Sequence, residues 1–258
     1  MSNDDRQFAS ENERTGEMNK SGWMGICLGI LLLWSATAWA EVELSEPYLL
    51  ALGGRLYDNW SVVLNIKPPK ATHPSYPATG SKKGAGTWRC KECHGWDYLG
   101  KDGRYATGEH ATGIRGIQAW KGREPADVVA LLRSATHGYT PEMLPDAAAH
   151  ALGLFVAKGQ IDFSPLLDAQ GKAKGDPKRG VLLYQTICAF CHGLDGKKIN
   201  FGSDKEPEYM GTAARENPWE AMHKMRNGQP AKEMLSLRML PDMEMAHILA
   251  FEQTLPEK

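Results

Sequence analysis

Cysteine is scarce in this chain, with five in 258 residues. Four of them fall in two short stretches, and the fifth, Cys27, lies in the only long apolar run. Excess charge is missing too. The formal net charge is −1, so no strongly basic surface points to a nucleic-acid partner. Neither a nucleophile triad nor a further metal motif is visible, and no strand pattern of a parallel sheet precedes either cysteine pair. The length allows one large domain or two small ones.

What is present is Cys-x-x-Cys-His, twice: Cys90-Lys91-Glu92-Cys93-His94 and Cys188-Ala189-Phe190-Cys191-His192. This is the signature of covalent c-type haem attachment. Two thiols so spaced can add across the two vinyl groups of one haem, and the adjacent imidazole then ligates the iron. A Cys-x-x-Cys pair can also be half a zinc site or a redox dithiol. Zinc would draw both pairs to one metal and would not require His after each. A dithiol of the thioredoxin kind would follow a strand.

The apolar run, from about Trp23 to Ala40, ends Thr37-Ala38-Trp39-Ala40-Glu41, an A-x-A cleavage site. Residues 1–17 are polar and acidic, unlike a signal sequence, whereas a start at Met18 places Met-Asn-Lys directly before the run. Residues 1–40 are therefore expected to be a signal peptide, with an uncleaved N-terminal anchor as the alternative. Ile26 before Cys27 does not suit lipid attachment. A periplasmic location follows, because c-type haem is attached outside the cytoplasmic membrane. Cleavage removes Cys27 and leaves no cysteine outside the motifs.

The chain then repeats itself. Residues 46–60 suggest a helix with a weak point at Gly53-Gly54, and Gly54 to Tyr57 resembles Gly180 to Tyr184 ahead of the second motif. An insertion at 61–87, with Pro68, Pro69, Pro74, Pro77 and several glycines, separates helix from motif in the first half and reads as a loop suited to docking. Past the motifs the halves run in step. Leu144-Pro145-Asp146 matches Leu240-Pro241-Asp242, and Phe155 and Phe251 each fall ten residues after their proline. A middle helix opens at Pro125 and at Pro218, the latter with Asn217 and Glu220 as a capping box. The expected division is 41–160, a linker at 161–177 pinned by Ile161, Phe163, Leu166 and Leu167, and 178–258.

Each half resembles a class I cytochrome c. The resemblance covers about residues 46–258 apart from the insertion. It implies an all-α fold of two tandem domains, each around one covalent haem c, attached through Cys90 and Cys93 in one and Cys188 and Cys191 in the other. His94 and His192 are then the proximal iron ligands. In that fold the distal ligand comes from the loop before the last helix, and the repeat selects Met234 and, at the equivalent place, His137, with Met143 as the fallback. A His/Met pair raises the potential of its haem above that of a bis-His pair. The implied function is a periplasmic diheme carrier of single electrons between a redox-protein donor and acceptor. The alternative is the haem-bearing subunit of a larger membrane or periplasmic complex. A diheme enzyme fits less well: a thiosulfate dehydrogenase uses a cysteine distal ligand, and a peroxidase needs an open position. His73, His110, His150, His223 and His247 read as surface or structural residues. Trp88, Trp96 and Tyr98 read as pocket packing, and Arg89, Arg104, Arg115, Arg215 and Arg226 as candidate propionate partners.

Overall fold

The computed structural model describes residues 43–257; the apolar run and the expected cleavage site lie outside them. The described helices are α1 (Glu46–Val63), α2 (Cys90–His94), α3 (Pro125–Arg133), α4 (Asp146–Leu154), α5 (Pro177–Leu183), α6 (Ala189–His192), α7 (Met210–Glu216), α8 (Pro218–Asn227) and α9 (Asp242–Glu252). The fold is all-α: among the described residues there is no strand, only isolated bridges such as Leu167 to Ala173. No described helix is long and apolar enough to cross a membrane.

α1 starts behind Ser45, whose hydroxyl accepts the Tyr48 amide, with Pro47 in the first turn where its missing N–H costs nothing. The expected weak point at Gly53-Gly54 is not one. The helix runs through both glycines and departs from helical dihedrals at Asn59 instead. The glycines are there for close approach. A Cβ on Gly53 would stand 2.1 Å from the Ala151 carbonyl oxygen, and one on Gly54 would stand 2.1 Å from the Asn227 side chain. Each glycine costs the helix about 1 kcal/mol relative to alanine, which the two tight crossings offset.

The same crossing occurs in the second half. A Cβ on Gly180 of α5 would meet the His247 carbonyl oxygen at 1.9 Å and Phe251 Cβ at 3.0 Å, as one on Gly53 meets Ala151 and Phe155 of the first half. The counterpart of Gly180 is therefore Gly53, not Gly54 as the sequence suggests. Each stands four residues before a tyrosine. Tyr57 donates its hydroxyl to the Gly95 carbonyl (2.6 Å) and Tyr184 to the Gly193 carbonyl (2.9 Å). Both acceptors directly follow a Cys-x-x-Cys-His motif, and both turn the chain with positive φ, 77° and 83°.

The middle helices close the pattern. Arg133, ending α3, donates to the Leu144 carbonyl (2.6 Å) and pairs with Asp146 (2.9 Å). Arg226, near the end of α8, does the same to the Leu240 carbonyl and Asp242. Pro145 and Pro241 cap the helices that follow. Arg226 is thus occupied in structure rather than free for a propionate, as is Arg215, which holds the carbonyls of Gln253 and Leu255.

Residues Leu44–Lys258 form one compact unit. Ile161, Phe163, Leu166, Leu167 and Ala173, between the halves in sequence, are all buried, and one cluster of buried apolar side chains extends from Leu56 and Tyr57 to Met245 and Ile248. At its centre lies His223 of α8, fully buried. Its Nε2–H donates to the Gly54 carbonyl (2.9 Å), and its Nδ1 accepts the Tyr98 hydroxyl (2.7 Å). Trp96, Tyr57 and Phe155 pack around the ring. Asp58, also buried, holds Arg89 and lies 3.9 Å from Lys224 of α8, and Arg104 stands over the Trp219 ring at 4.6 Å.

Candidate functional site

The first motif is a single helical turn, α2, entered from a 3₁₀ segment at Gly84–Trp88 and ended by Gly95. Residues three apart share one face of a helical turn, so the spacing puts both thiols on the same side, with His94 beside them. Burial pushes the Cys90 and Cys93 thiols up to about 12. A redox dithiol typically has a depressed thiol, the opposite of the shift that burial gives here. The two cysteine pairs do not converge: among the described residues no group of three or more His, Cys, Asp or Glu side chains is placed to hold a metal ion.

His94 Nδ1–H donates to the Arg115 carbonyl (2.6 Å). That bond fixes the tautomer and leaves Nε2 with its lone pair free. Burial, only partly opposed by this bond, pushes the His94 pKa down to about 4, so the ring is neutral, the form that binds a metal.

Facing it is His137, on the turn that follows α3. Gly138 comes next with φ +64°, a left-handed conformation that glycine supplies at no steric cost. Burial lowers the His137 pKa too, and its Nδ1 is buried without a partner. The two rings have centroids 6.2 Å apart and planes 29° from parallel. Two metal–imidazole bonds of about 2.0 Å each, with the reach of two rings added, span about 6 Å. Two neutral imidazoles so placed can ligate one metal ion between them.

His94, His137, Cys90 and Cys93 all line one cavity of about 220 Å³. Its apolar walls include Ile114, Ile117, Val128, Leu132, Leu152 and Val156. A flat apolar macrocycle with a central metal suits that combination of walls and donors. Met143, the fallback, is half-buried and does not line the cavity. Arg89 does line it, but its guanidinium is engaged by Asp58 through carbonyl and carboxylate.

The cavity takes in no residue of the second motif. There, α6 ends at Gly193, Cys188 is half-buried with its thiol pushed up to about 12 by burial, and Cys191 is exposed. Burial lowers the His192 pKa, and its Nδ1 is likewise buried and unpartnered. The His192 ring lies 6.0 Å from Phe201. Met234 is half-buried against the core on the turn after α8. The structure thus brings His94 and His137 together across one cavity, which takes in neither His192 nor Met234.

Several contributors are invisible to sequence inspection. Tyr139 donates its hydroxyl to the Trp88 carbonyl (2.5 Å), and the Arg115 backbone, not its side chain, serves His94. Tyr76, expected on a docking loop, is buried. His73 is buried as well, and only its place within the proline-rich stretch could have drawn attention to it. His247 accepts the Asp176 amide (2.7 Å) ahead of α5, a structural role as expected.

Residues 175–251 match the family model described as "Cytochrome C oxidase, cbb3-type, subunit III". The match indicates a c-type cytochrome domain over that segment, which holds Cys188, Cys191, His192 and Met234; proteins of that class bind haem covalently and transfer electrons. No curated protein and no solved structure matches the chain.

Proposed function

We propose that the chain is an exported diheme cytochrome c that carries single electrons between a donor and an acceptor protein. The observation that carries this is the pair of neutral imidazoles, His94 and His137, opposed across a cavity that both thiols of the first motif also line. The first half lies outside the family match, yet the Gly53/Gly180, Tyr57/Tyr184 and Arg133/Arg226 correspondences support a duplicated haem-binding unit.

A bound haem supplies a reversible one-electron iron couple. The chain does the rest. Cys90 and Cys93 would hold one macrocycle and Cys188 and Cys191 the other. His94, oriented by the Arg115 carbonyl, and His137 would be the iron ligands of the first haem, and His192 and Met234 those of the second. Imidazole stabilises the ferric form better than a thioether does, so the first site would be the lower-potential one and the second the electron acceptor. Denatured protein should retain two covalent haems per chain by mass and absorbance, and a redox titration should show two one-electron steps. A single haem would end the diheme reading.

The family match favours a second reading, in which the chain is the electron-transfer subunit of a membrane oxidase complex. Sizing native protein released from its own membranes separates the two. A free carrier migrates near the mass of one chain, and a subunit migrates with a far larger assembly.

A further inference from the structure

Residues 61–87 set the first half apart. In the second half α5 continues through a short π-helical stretch, Tyr184–Cys188, straight into α6. In the first half the same interval is filled by the insertion, and the insertion folds onto the turn that carries His137.

Three contacts fix that turn from outside. His73 Nδ1 accepts the Ser75 amide (3.1 Å), so its proton sits on Nε2, which donates to the His137 carbonyl (2.9 Å). The Ser75 hydroxyl donates to the Thr136 carbonyl (2.5 Å). Tyr139 reaches the other way, to the carbonyl of Trp88 at the far end of the insertion. His73 is itself well held. It is 7% exposed, its amide donates to Thr87 Oγ1 (2.8 Å), and its ring meets Trp88 edge-on at 4.4 Å. His137, by contrast, has no hydrogen bond at its own Nδ1. The Leu131 backbone acts on its ring and partly opposes the effect of burial, so the turn that carries it bears on where the ring points.

We propose that the 61–87 insertion is a clamp on the distal turn, and that His73 is the positioning residue that keeps His137 opposite His94. This rests on the proposed ligation of one haem by His94 and His137. A neutral imidazole acting merely as filler would need only its shape. A clamp needs the Nε2–H donor, because the His137 carbonyl it satisfies is the ligand's own backbone.

The test uses full-length holoprotein and cyanide as the probe of the first ferric haem. His73→Phe keeps an aromatic ring and removes the donor, whereas His73→Gln keeps an N–H of similar reach. His73→Phe should raise cyanide affinity at the first haem about tenfold, the size expected for losing one buried hydrogen bond, and shift that haem's potential while leaving the second unchanged. His73→Gln should restore most of the wild-type behaviour. Wild-type cyanide binding in His73→Phe overturns the clamp, and so does equal disturbance in Phe and Gln variants, which would mean packing alone. Should His73→Phe yield no folded holoprotein, Ser75→Ala at an exposed hydroxyl carries the test, and unaltered cyanide binding there overturns the clamp. His137→Ala is run beside them. If it fails to open the first haem, the ligation itself is wrong; if it opens the haem while the His73 and Ser75 variants stay silent, only the clamp is.

Discussion

If His94 and His137 ligate a first haem as proposed, replacing His137 by Ala should leave that haem with one protein ligand and turn it from low-spin to high-spin. The imidazole stands with its ring centroid 6.2 Å from that of His94, and Met143, the other candidate in the same loop, is not among the cavity-lining residues. His73 lines the cavity as well, but both its ring nitrogens are engaged, by the Ser75 amide and the residue-137 carbonyl, so truncation leaves no free imidazole or thioether among the lining residues. Added imidazole or cyanide should bind the first haem and restore a low-spin spectrum, while the second haem stays unchanged. His137→Met should instead raise the first potential toward that of the second site, because a thioether favours ferrous iron more than imidazole does. Two unaltered low-spin haems with unaltered potentials after His137→Ala would show that another residue ligates.

Much of the proposed site is legible in the sequence because covalent haem attachment would leave the motif no freedom. A thioether pair with its adjacent histidine has one spacing, so Cys90, Cys93 and His94 announce themselves. His137 emerges from the repeat, through the alignment of Pro145 with Pro241. What surrounds it does not. The insertion has no period, since proline and glycine mark turns without saying what the loop covers; it reads as a docking loop, with His73 surface or structural, and both His73 and Tyr76 prove buried. The glycines of α1 fail for a related reason. Propensity counts the helix cost of glycine, whereas the Ala151 carbonyl that makes glycine necessary at position 53 lies about a hundred residues away. His223 is hidden because a histidine on an amphipathic helix looks the same facing water as facing a second layer of protein.

His223→Ala should be among the most destabilising single changes in the described chain. It removes a fully buried ring packed among Trp96, Tyr57 and Phe155, leaves the Tyr98 hydroxyl without its partner and takes one donor from the Gly54 carbonyl. A cavity plus an unpartnered buried hydroxyl costs about 3 kcal/mol or more. Thermal unfolding of the holoprotein should show it as a midpoint lowered by several degrees. The effect carries a pH signature. Burial pushes the His223 pKa down to about 3, below the unfolded value near 6.5. The native state thus holds the ring neutral while the unfolded chain takes up a proton, so its contribution is complete above about pH 6.5 and declines as pH falls toward 3. The gap between wild type and His223→Ala should accordingly be widest near neutrality and narrow in acid. A gap that does not change with pH would mean the ring takes up its proton as readily in the native protein as in the unfolded chain.

The buried apolar cluster that runs through both halves also bears on timing. Where two redox modules hang on a slack tether, the interval between them fluctuates, and transfer waits on diffusive encounters that slow as the medium thickens. Here Gly54, Tyr98 and His223 knit the halves into a common interior. Exchange between the two centres would then follow a single exponential with one fixed rate, indifferent to solvent viscosity, and only the encounter with an outside partner would depend on diffusion.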